Sequence, residues 1–231
     1  DAYHKVLLPT YDVFDERRYF EPNKDAIGVF EYDGLRVAML VCEDMWGNAD
    51  DNGNGPKLYE RDLIVELADA NLDLLITVNA SPYYHGKGNV RAKLVSEIAR
   101  ELSANVVYVN QVGGKDSLVF DGRSFANDRN GECIGFVDPF VGAVVVVSLG
   151  EGERAAHRSD TGGEDLYNAL VVGLRDYVRK SGRKDAVIGL SGGIDSALVA
   201  SIAVSALGKE HVRGYAMPSE FSSQGSIDDA L

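Results

Sequence analysis

Short apolar runs alternate with segments of helically spaced apolar residues along the first part of the chain. Residues 35–41 are apolar and rich in β-branched side chains, which predicts a buried strand. A helical spacing over 59–70 follows, then a second buried strand over 72–78, a helix over 90–103 and a strand over 105–109. Strands that alternate with helices in this way indicate an α/β fold.

Short strands and turns replace this alternation after residue 117. The turn residues 127–131, flanked by 123–125 and 133–136, predict a β-hairpin. The stretch 150–164 holds glycine and charged residues and almost no large apolar ones, which predicts a linker. We therefore assign residues 1–150 to a first domain, 151–163 to a linker and 164–231 to a second domain.

Apolar patterning resumes after the linker. An amphipathic helix is predicted over 165–181, and Gly182 follows it as a helix-ending signal. A buried strand over 186–190, a helix over 194–207 and a strand over 212–217 come next. These elements predict that the second domain is also α/β.

Composition and charge narrow the classes of function. The 231 residues are 45% hydrophobic and 26% charged, which is typical of a globular protein, and no apolar run is long enough to cross a bilayer. Lys and Arg number 23 against 36 Asp and Glu, and the net charge of −13 disfavours partners such as nucleic acid or an anionic membrane. Its two cysteines lack zinc-site spacing, and a chain of this length can build its core without a disulfide. A location in the reducing cytoplasm is therefore expected. Because the chain starts at Asp1 and stops at Leu231 within a predicted helix start, we expect a fragment.

A glycine turn, Ser191-Gly-Gly-Ile-Asp-Ser196, joins a predicted strand to a predicted helix. Paired glycines let backbone N–H groups approach an anion, and the helix N-terminus favours negative charge, so a pyrophosphate fits there. Hydroxyls of Ser191 and Ser196 can donate to it, and Asp195 can hold Mg²⁺. The alternative is a tight turn whose Asp and Ser only cap the helix.

The full turn sequence resembles the pyrophosphate loop of the N-type ATP pyrophosphatases, and the lysine of a Walker A loop is absent. The resemblance implies a Rossmann-like adenine-nucleotide α-hydrolase domain, of which this chain holds the start. It also implies that ATP contacts Gly189, Leu190, Ser191, Gly192, Gly193, Ile194, Asp195, Ser196 and Met217, with Asp195 as the Mg²⁺ ligand. Met217 would lie near the adenine, although a core position is an equally good interpretation.

Cys42 comes directly after the strand predicted over 35–41 and is followed by a polar turn. A nucleophile at the end of a buried strand is held at a cleft, and the thiolate is its attacking form. The alternative is a small core cysteine at a strand end, which is the interpretation that Cys133 receives.

Three segments together resemble the carbon–nitrogen hydrolase (nitrilase) family. They are His4–Phe20 with Lys5, Cys42-Glu-Asp-Met-Trp46 and Asn79-Ala-Ser-Pro82. The resemblance implies an αββα sandwich, incomplete in this chain, and a Glu–Lys–Cys triad in which Cys42 is the nucleophile and Lys5 stabilises the oxyanion. The triad glutamate would precede residue 1, and neither Glu16 nor Glu43 is assigned to its role.

The same resemblance implies a set of glutamine contacts: Tyr11, Glu43, Trp46, Ser81 and Lys87. Four of the five have a simpler interpretation from the residues alone. Glu43 is then a cap of the following turn, Trp46 a core residue, Ser81 part of a strand-end turn and Lys87 a solvated lysine.

An amidase half followed by an ATP pyrophosphatase loop resembles the glutamine-dependent NAD synthetase family. The resemblance implies a ligase that hydrolyses glutamine and transfers the ammonia to adenylylated nicotinate adenine dinucleotide, giving NAD, AMP and pyrophosphate, with ATP and Mg²⁺. It also implies a homo-oligomer. The 231-residue chain alone is expected to be inactive, because the triad glutamate and most nucleotide contacts would lie outside it.

Two other functions fit parts of the pattern. One is another amidotransferase with the same ATP loop, such as a relative of GMP or asparagine synthetase, but those carry different glutaminase domains. The other is an adenine-nucleotide binding module without catalysis, in which Cys42 is structural.

Overall fold

The computed structural model describes residues 3–47, 58–149 and 154–218, together with Gly225 and Asp228. The chain divides into two compact units: residues 1–111 with 121–160 form the first, and residues 112–120 with 161–231 form the second. The second unit thus includes a short segment from within the sequence of the first. Within the described ranges, no helix combines the length and apolarity needed to cross a bilayer.

The helices and strands follow the predicted order closely. They are β1 (Val29–Tyr32), β2 (Leu35–Val41), α1 (Glu43–Trp46), α2 (Leu63–Leu67), β3 (Leu74–Asn79), α3 (Lys87–Leu102), β4 (Asn105–Asn110), β5 (Val112–Lys115), β6 (Leu118–Asp121), β7 (Phe125–Asn127), β8 (Cys133–Phe136), α4 (Gly163–Lys180), β9 (Ala186–Leu190), α5 (Ile194–Leu207) and β10 (Val212–Ala216). Short 3₁₀ helices cover Glu16–Arg18, Ala68–Ala70 and Lys209–His211.

A sheet with the strand order β1-β2-β3-β4-β7-β8 forms the centre of the described part of the first unit. Strands β2, β3 and β4 are parallel, and Val41 pairs with Val78, which pairs with Val109. Because the three strands end in register, Cys42 and the segment 79–82 leave the sheet at the same edge. The register therefore brings together two of the motifs that the sequence singled out.

One face of this sheet is covered by α3. Leu40, Leu75 and Val106 point to that face and are fully buried, as are Val95 and Ala99 of the helix. The alternation along the strands and the helical spacing along α3 explain why these residues meet. On the other face, Val78 and Val109 are exposed.

Helix α2 is shorter than the helical spacing over 59–70 predicts. The side chain of Asp62 accepts the N–H groups of Ile64 and Val65, so the helix starts only after this cap. Tyr59 lies before it, buried in the core.

The described part of the predicted linker packs on the first unit. Ala155 donates its N–H to the carbonyl of Cys133 at 2.9 Å, and the ring of His157 lies edge-on to Phe125 with centroids 4.5 Å apart. Asp160 accepts the N–H of Gly86 at 2.8 Å. Residues 151–153 of that linker lie outside the described ranges.

In the second unit, α4 ends as the sequence predicts. Gly182 has a φ of +71°, and its N–H bonds to the carbonyl of Arg179, which closes the helix end. The hairpin of β5 and β6 packs on α4, where the N–H of Gly114 bonds to the carboxylate of Asp176 at 2.8 Å. A Cβ at Gly114 would lie 3.2 Å from the Cα of Gly173, so glycine at both positions allows this close approach.

Strands β9 and β10 are parallel, and Ala186 pairs with Val212. Helix α5 connects them as a crossover, with the glycine turn between β9 and the start of α5. This strand–turn–helix–strand unit is the arrangement that the sequence predicts for 186–217.

Candidate active site

Cys42 lies at the carboxyl end of β2 in a strained backbone conformation. Its φ is 50° and its ψ is −100°, a combination that a residue with a Cβ rarely adopts. The N–H of Cys42 bonds to the carbonyl of Val78 at 3.0 Å, which fixes the turn on the neighbouring strand. Strain of this kind costs about 1–3 kcal/mol and is concentrated at functional sites. The geometry favours a nucleophile over an ordinary core cysteine.

Asp44 joins this turn to the segment that carries Lys5. The carboxylate is fully buried and accepts four hydrogen bonds. Its donors are the hydroxyl of Tyr3 (2.7 Å) and the N–H groups of Val6 (3.1 Å), Leu7 (2.7 Å) and Val41 (3.1 Å). Burial raises the pKa of Asp44, although these bonds act in the opposite direction. Asp44 was not among the predicted site residues, and its only signal in the sequence is that it follows Glu43 in the polar turn after Cys42.

Lys5 forms an ion pair with Glu16. The ammonium donates to Oε2 of Glu16 at 2.6 Å, and both side chains are largely shielded from solvent. The N–H of Glu16 bonds to the carbonyl of Pro9 at 3.0 Å, which holds the carboxylate near Lys5. Glu16 therefore restrains the lysine that the sequence assigns to the oxyanion.

Cys42 is half-buried, and this burial raises the pKa of its thiol. The Lys5 ammonium and a hydrogen bond from the backbone of Ala80 lower the pKa, but only in part. The thiol rather than the thiolate is therefore the favoured form of Cys42.

Glu43 is buried beside the nucleophile and accepts two tyrosine hydroxyls. Tyr11 donates at 2.7 Å and Tyr59 at 2.9 Å. Burial raises the pKa of Glu43, and the two hydroxyls and Lys5 lower it in part. The structure thus brings together the predicted site residues Tyr11 and Glu43. Tyr59, which the sequence predicts only as part of a helix, is a further residue of this cluster.

Lys87 and Trp46 also meet, as the assignment of both to one pocket requires. The ammonium of Lys87 lies 5.8 Å from the centroid of the Trp46 ring and 4.7 Å from that of Tyr84. A cation between two aromatic faces is a favourable arrangement. Tyr84 was not among the predicted site residues.

Ser81 has a different environment from the other predicted pocket residues. It is buried, and its N–H bonds to Oδ1 of Asn110 at 2.9 Å. Its hydroxyl accepts from Nε of Arg91 at 3.3 Å and from Nη2 at 3.2 Å. The side chain of Ser81 is thus part of a buried hydrogen-bond network.

In the second unit, the glycine turn leads into the first turn of α5. The N–H of Ser191 bonds to Oγ of Ser196 at 3.2 Å, and that hydroxyl donates to the carbonyl of Gly193 at 2.9 Å. Gly192 has a φ of +76°, which a side chain would disfavour. The turn lies open at the N-terminus of a helix of 14 residues, as a phosphate site requires.

The remaining residues assigned to ATP lie on β9, at the start of α5 and after β10. Gly189 and Leu190 end β9, and Ile194 and the exposed Asp195 begin α5 directly after the turn. Met217 follows β10, and its Cε lies 2.8 Å from where a Cβ at Gly189 would be. Met217 is 76% exposed, so in this chain it does not occupy a core position.

Comparisons with known proteins match both parts of the chain to one family of enzymes. Residues 166–231 match the family model described as NAD synthase. The glutamine-dependent NAD(+) synthetase of Synechocystis sp. is 44% identical over an alignment of 235 positions that covers 99% of this chain and 42% of that protein. The enzyme of the same name from Acinetobacter baylyi is 38% identical over an alignment of 236 positions that covers 99% of this chain and 41% of that protein.

A solved structure gives the same result. The glutamine-dependent NAD+ synthetase from Acinetobacter baumannii, in complex with ADP, has a TM-score of 0.83 and 38% identity, covering 99% of this chain and 42% of that one. The chain is a homologue of the glutamine-dependent NAD(+) synthetases. It spans about two fifths of the length of the relatives it matches.

The fold of the first unit has a second relative. The NitN amidase from Neterenkonia sp. AN1 has a TM-score of 0.51 at 24% identity, covering 64% of this chain and 51% of that one, and at this identity it informs on fold alone. The fold is thus a nitrilase-like domain with a Rossmann-like domain, as the sequence predicts.

Proposed function

We propose that this chain carries the amidase site and the ATP loop of a ligase that makes NAD from nicotinate adenine dinucleotide, ATP and glutamine. The observation that carries the proposal is that one chain combines two sites. A strained Cys42 stands beside Lys5 in one unit, and an open glycine turn precedes α5 in the other. The relatives at 38–44% identity carry the corresponding name.

In the amidase half, Sγ of Cys42 attacks the side-chain amide carbon of glutamine. The oxygen becomes an oxyanion, which the ammonium of Lys5 stabilises, and the ion pair with Glu16 keeps Lys5 oriented. The C–N bond then breaks, ammonia leaves and a glutamyl thioester remains until water hydrolyses it to glutamate. Because burial keeps the pKa of Cys42 high, the thiol proton passes to a general base as Sγ attacks, and the base returns this proton to the amide nitrogen as the C–N bond breaks, so that ammonia leaves.

The glutamine contacts follow from the same cluster. Tyr11 and Glu43 are fixed by their mutual hydrogen bond, so the carboxylate presents a defined acceptor to the ammonium or amide of glutamine. Lys87, between Tyr84 and Trp46, supplies a cation for the α-carboxylate. Ser81 contributes through the backbone that its buried hydroxyl helps to fix.

In the second half, backbone N–H groups of the turn and the hydroxyls of Ser191 and Ser196 bind the pyrophosphate of ATP. Asp195 and these hydroxyls are oxygen donors, which suit Mg²⁺, and that ion neutralises phosphate charge when bound. Among the described residues no three acidic, histidine or cysteine side chains form a cage, so the phosphates would supply further ligands. Gly189 lies on β9 and Met217 directly follows the neighbouring strand β10, and adenine would lie beside these two residues.

We infer a cytoplasmic protein that acts as a homo-oligomer. The test is NAD formation by the full-length protein from nicotinate adenine dinucleotide, ATP and Mg²⁺, with glutamine or ammonium as donor. We expect NAD, AMP and pyrophosphate in equal amounts with either donor. ATP binding without turnover would instead identify a nucleotide-binding module, and amidation of a different acceptor would identify another amidotransferase.

A further inference from the structure

A fully buried arginine lies beneath the loop that faces Cys42. Arg91 is on α3, is 0% exposed, and directs its guanidinium to the end of β3. It donates to Oδ1 of Asp121 (2.7 Å), to the carbonyl of Ser81 (2.8 Å), to the hydroxyl of Ser81 (3.2 Å) and to the carbonyl of Pro82 (3.0 Å). Because the guanidinium group is planar and bonds to Asp121 on one side and to Ser81 and Pro82 on the other, it fixes both the position and the orientation of the Ser81–Pro82 backbone.

The charge of Arg91 is maintained by its neighbours. Burial alone would lower the pKa of its guanidinium, but Tyr108 and Asp121 raise it above its ordinary value. Asp121 is also 0% exposed and forms a second ion pair with Arg123 at 3.3 Å. A buried ion pair is weak evidence for stability, because apolar side chains of similar volume often stabilise a core as well or better. The bonds from Arg91 to the carbonyls of Ser81 and Pro82 indicate that the guanidinium orients this backbone segment rather than adding to the stability of the core.

The loop connects Arg91 to the nucleophile. Ala80 precedes Ser81, and its backbone hydrogen bond to the thiol stabilises the charged form of Cys42. Ser81 is held on both sides, since its N–H bonds to Asn110 while its carbonyl bonds to Arg91. The orientation of the peptide that contacts Cys42 is therefore set by groups that do not touch the thiol.

We propose that Arg91 is a positioning residue for the nucleophile: it holds the Ser81–Pro82 backbone so that the N–H of Ala80 stays on Sγ of Cys42. This inference deepens the proposed function and rests on it for its kinetic consequence. Asp121 accepts a hydrogen bond from Arg91 and thereby orients the guanidinium, so it is a second positioning residue.

The test compares Arg91→Lys with wild type in the full-length protein. Lysine keeps a positive charge for Asp121 but lacks the planar fork that reaches both carbonyls. The readout is the rate of alkylation of Cys42 by iodoacetamide against pH, followed by mass spectrometry, with the buried Cys133 as internal reference. Lys5, Glu16 and Glu43, which face the thiol, are unchanged in this variant.

We expect the pH midpoint of alkylation to rise by about one unit, so the rate near neutral pH falls about tenfold. The glutamine-dependent rate of NAD formation should fall by a similar factor, while the ammonium-dependent rate stays at the wild-type level. Arg100→Met on the exposed face of α3 is the matched control and should leave both readouts unchanged.

A folded Arg91→Lys protein with an unchanged midpoint would overturn the proposal. Ser81→Ala removes only the hydroxyl contact, and a shift as large as that of Arg91→Lys would assign the effect to the hydroxyl and also overturn it. If Arg91→Lys does not fold, Asp121→Asn takes its place, since it frees the guanidinium without changing side-chain shape. If wild type makes no NAD with either donor, the proposed function fails, and the alkylation midpoint still decides whether Arg91 positions the thiol.

Discussion

The carboxylate of Asp44 accepts the backbone N–H of Leu7 at 2.7 Å, across 37 positions of sequence. Through this bond, the turn that carries Cys42 holds the segment that carries Lys5. Lysine and cysteine are thus placed relative to each other by an acid that takes no part in the reaction.

Asp44→Asn tests this placement. The amide keeps the shape of the side chain, but its nitrogen cannot accept the hydrogen bonds that one carboxylate oxygen accepts. We expect a loss of about 1–3 kcal/mol in the free energy of unfolding and at least a tenfold lower glutamine-dependent rate. The ammonium-dependent rate should not change, and the exposed Asp69→Asn serves as control. Equal loss with both donors would contradict the local role of Asp44.

Lys5 and Glu16 should shift the Cys42 thiol in opposite directions. Lys5 lowers the pKa of the thiol, so Lys5→Met raises it and slows alkylation at pH 8. Glu16 raises that pKa, so Glu16→Gln lowers it and speeds alkylation at the same pH.

Glutamine turnover should nevertheless fall in both variants. Loss of an oxyanion donor in Lys5→Met predicts a decrease of roughly 10²–10³-fold in kcat, and Glu16→Gln releases Lys5 from its ion pair. Faster alkylation together with slower turnover in Glu16→Gln separates lysine placement from thiol ionisation. Wild-type kcat in Lys5→Met would rule out the oxyanion role of Lys5, and wild-type kcat in Glu16→Gln would rule out the positioning role of Glu16.

His157 predicts a pH dependence of local stability. Burial lowers its pKa in the folded state, and its Nε2 bonds to no described residue. The unfolded segment therefore binds the proton more readily than the folded one. Stability contributed here is complete above the ordinary histidine pKa of about 6.5 and is lost as pH falls below it toward the lowered folded value.

Hydrogen exchange of residues 154–160 between pH 7 and pH 5, corrected for intrinsic rates, measures this effect. Protection should decrease on acidification in wild type and much less in His157→Leu, which keeps an apolar contact with Phe125. The same decrease in both proteins would show that another group titrates.

Gly192→Ala should weaken ATP binding for both nitrogen donors. A side chain at a φ of +76° costs about 1–2 kcal/mol, so the KM for ATP should rise roughly tenfold. Gly163→Ala, at a helix start where a Cβ would meet nothing within 4 Å, is the control. An unchanged KM for ATP would indicate that the turn does not hold the nucleotide.

Local patterns were enough to predict most of the fold. Strand 186–190, helix 194–207 and the helix end at Gly182 agree with the structure, because periodicity and a glycine cap are properties of neighbouring residues. The start of α2 differs from the predicted residue 59 because Asp62 caps the helix, so that the first helical residue is Leu63.

The candidate site was predicted only in part. Cys42, Lys5 and the glycine turn have recognisable local sequence, whereas Asp44, Glu16 and Tyr59 act through contacts far along the chain. Asp44 contacts residues near the start of the sequence, and Tyr59 meets Glu43 across a segment outside the described ranges. No local pattern contains such contacts, since parallel strands and loops create them.

Cys42 is proposed to release ammonia from glutamine for a synthetase that can also use free ammonium, so the two nitrogen donors separate its role from that of the ATP site. The most direct measurement is NAD formation by full-length Cys42→Ala and wild type, with glutamine or with ammonium as donor. The account predicts that Cys42→Ala loses NAD formation with glutamine and keeps the wild-type rate with ammonium. Equal loss with both donors would contradict it, because Cys42 would then serve the fold rather than the chemistry.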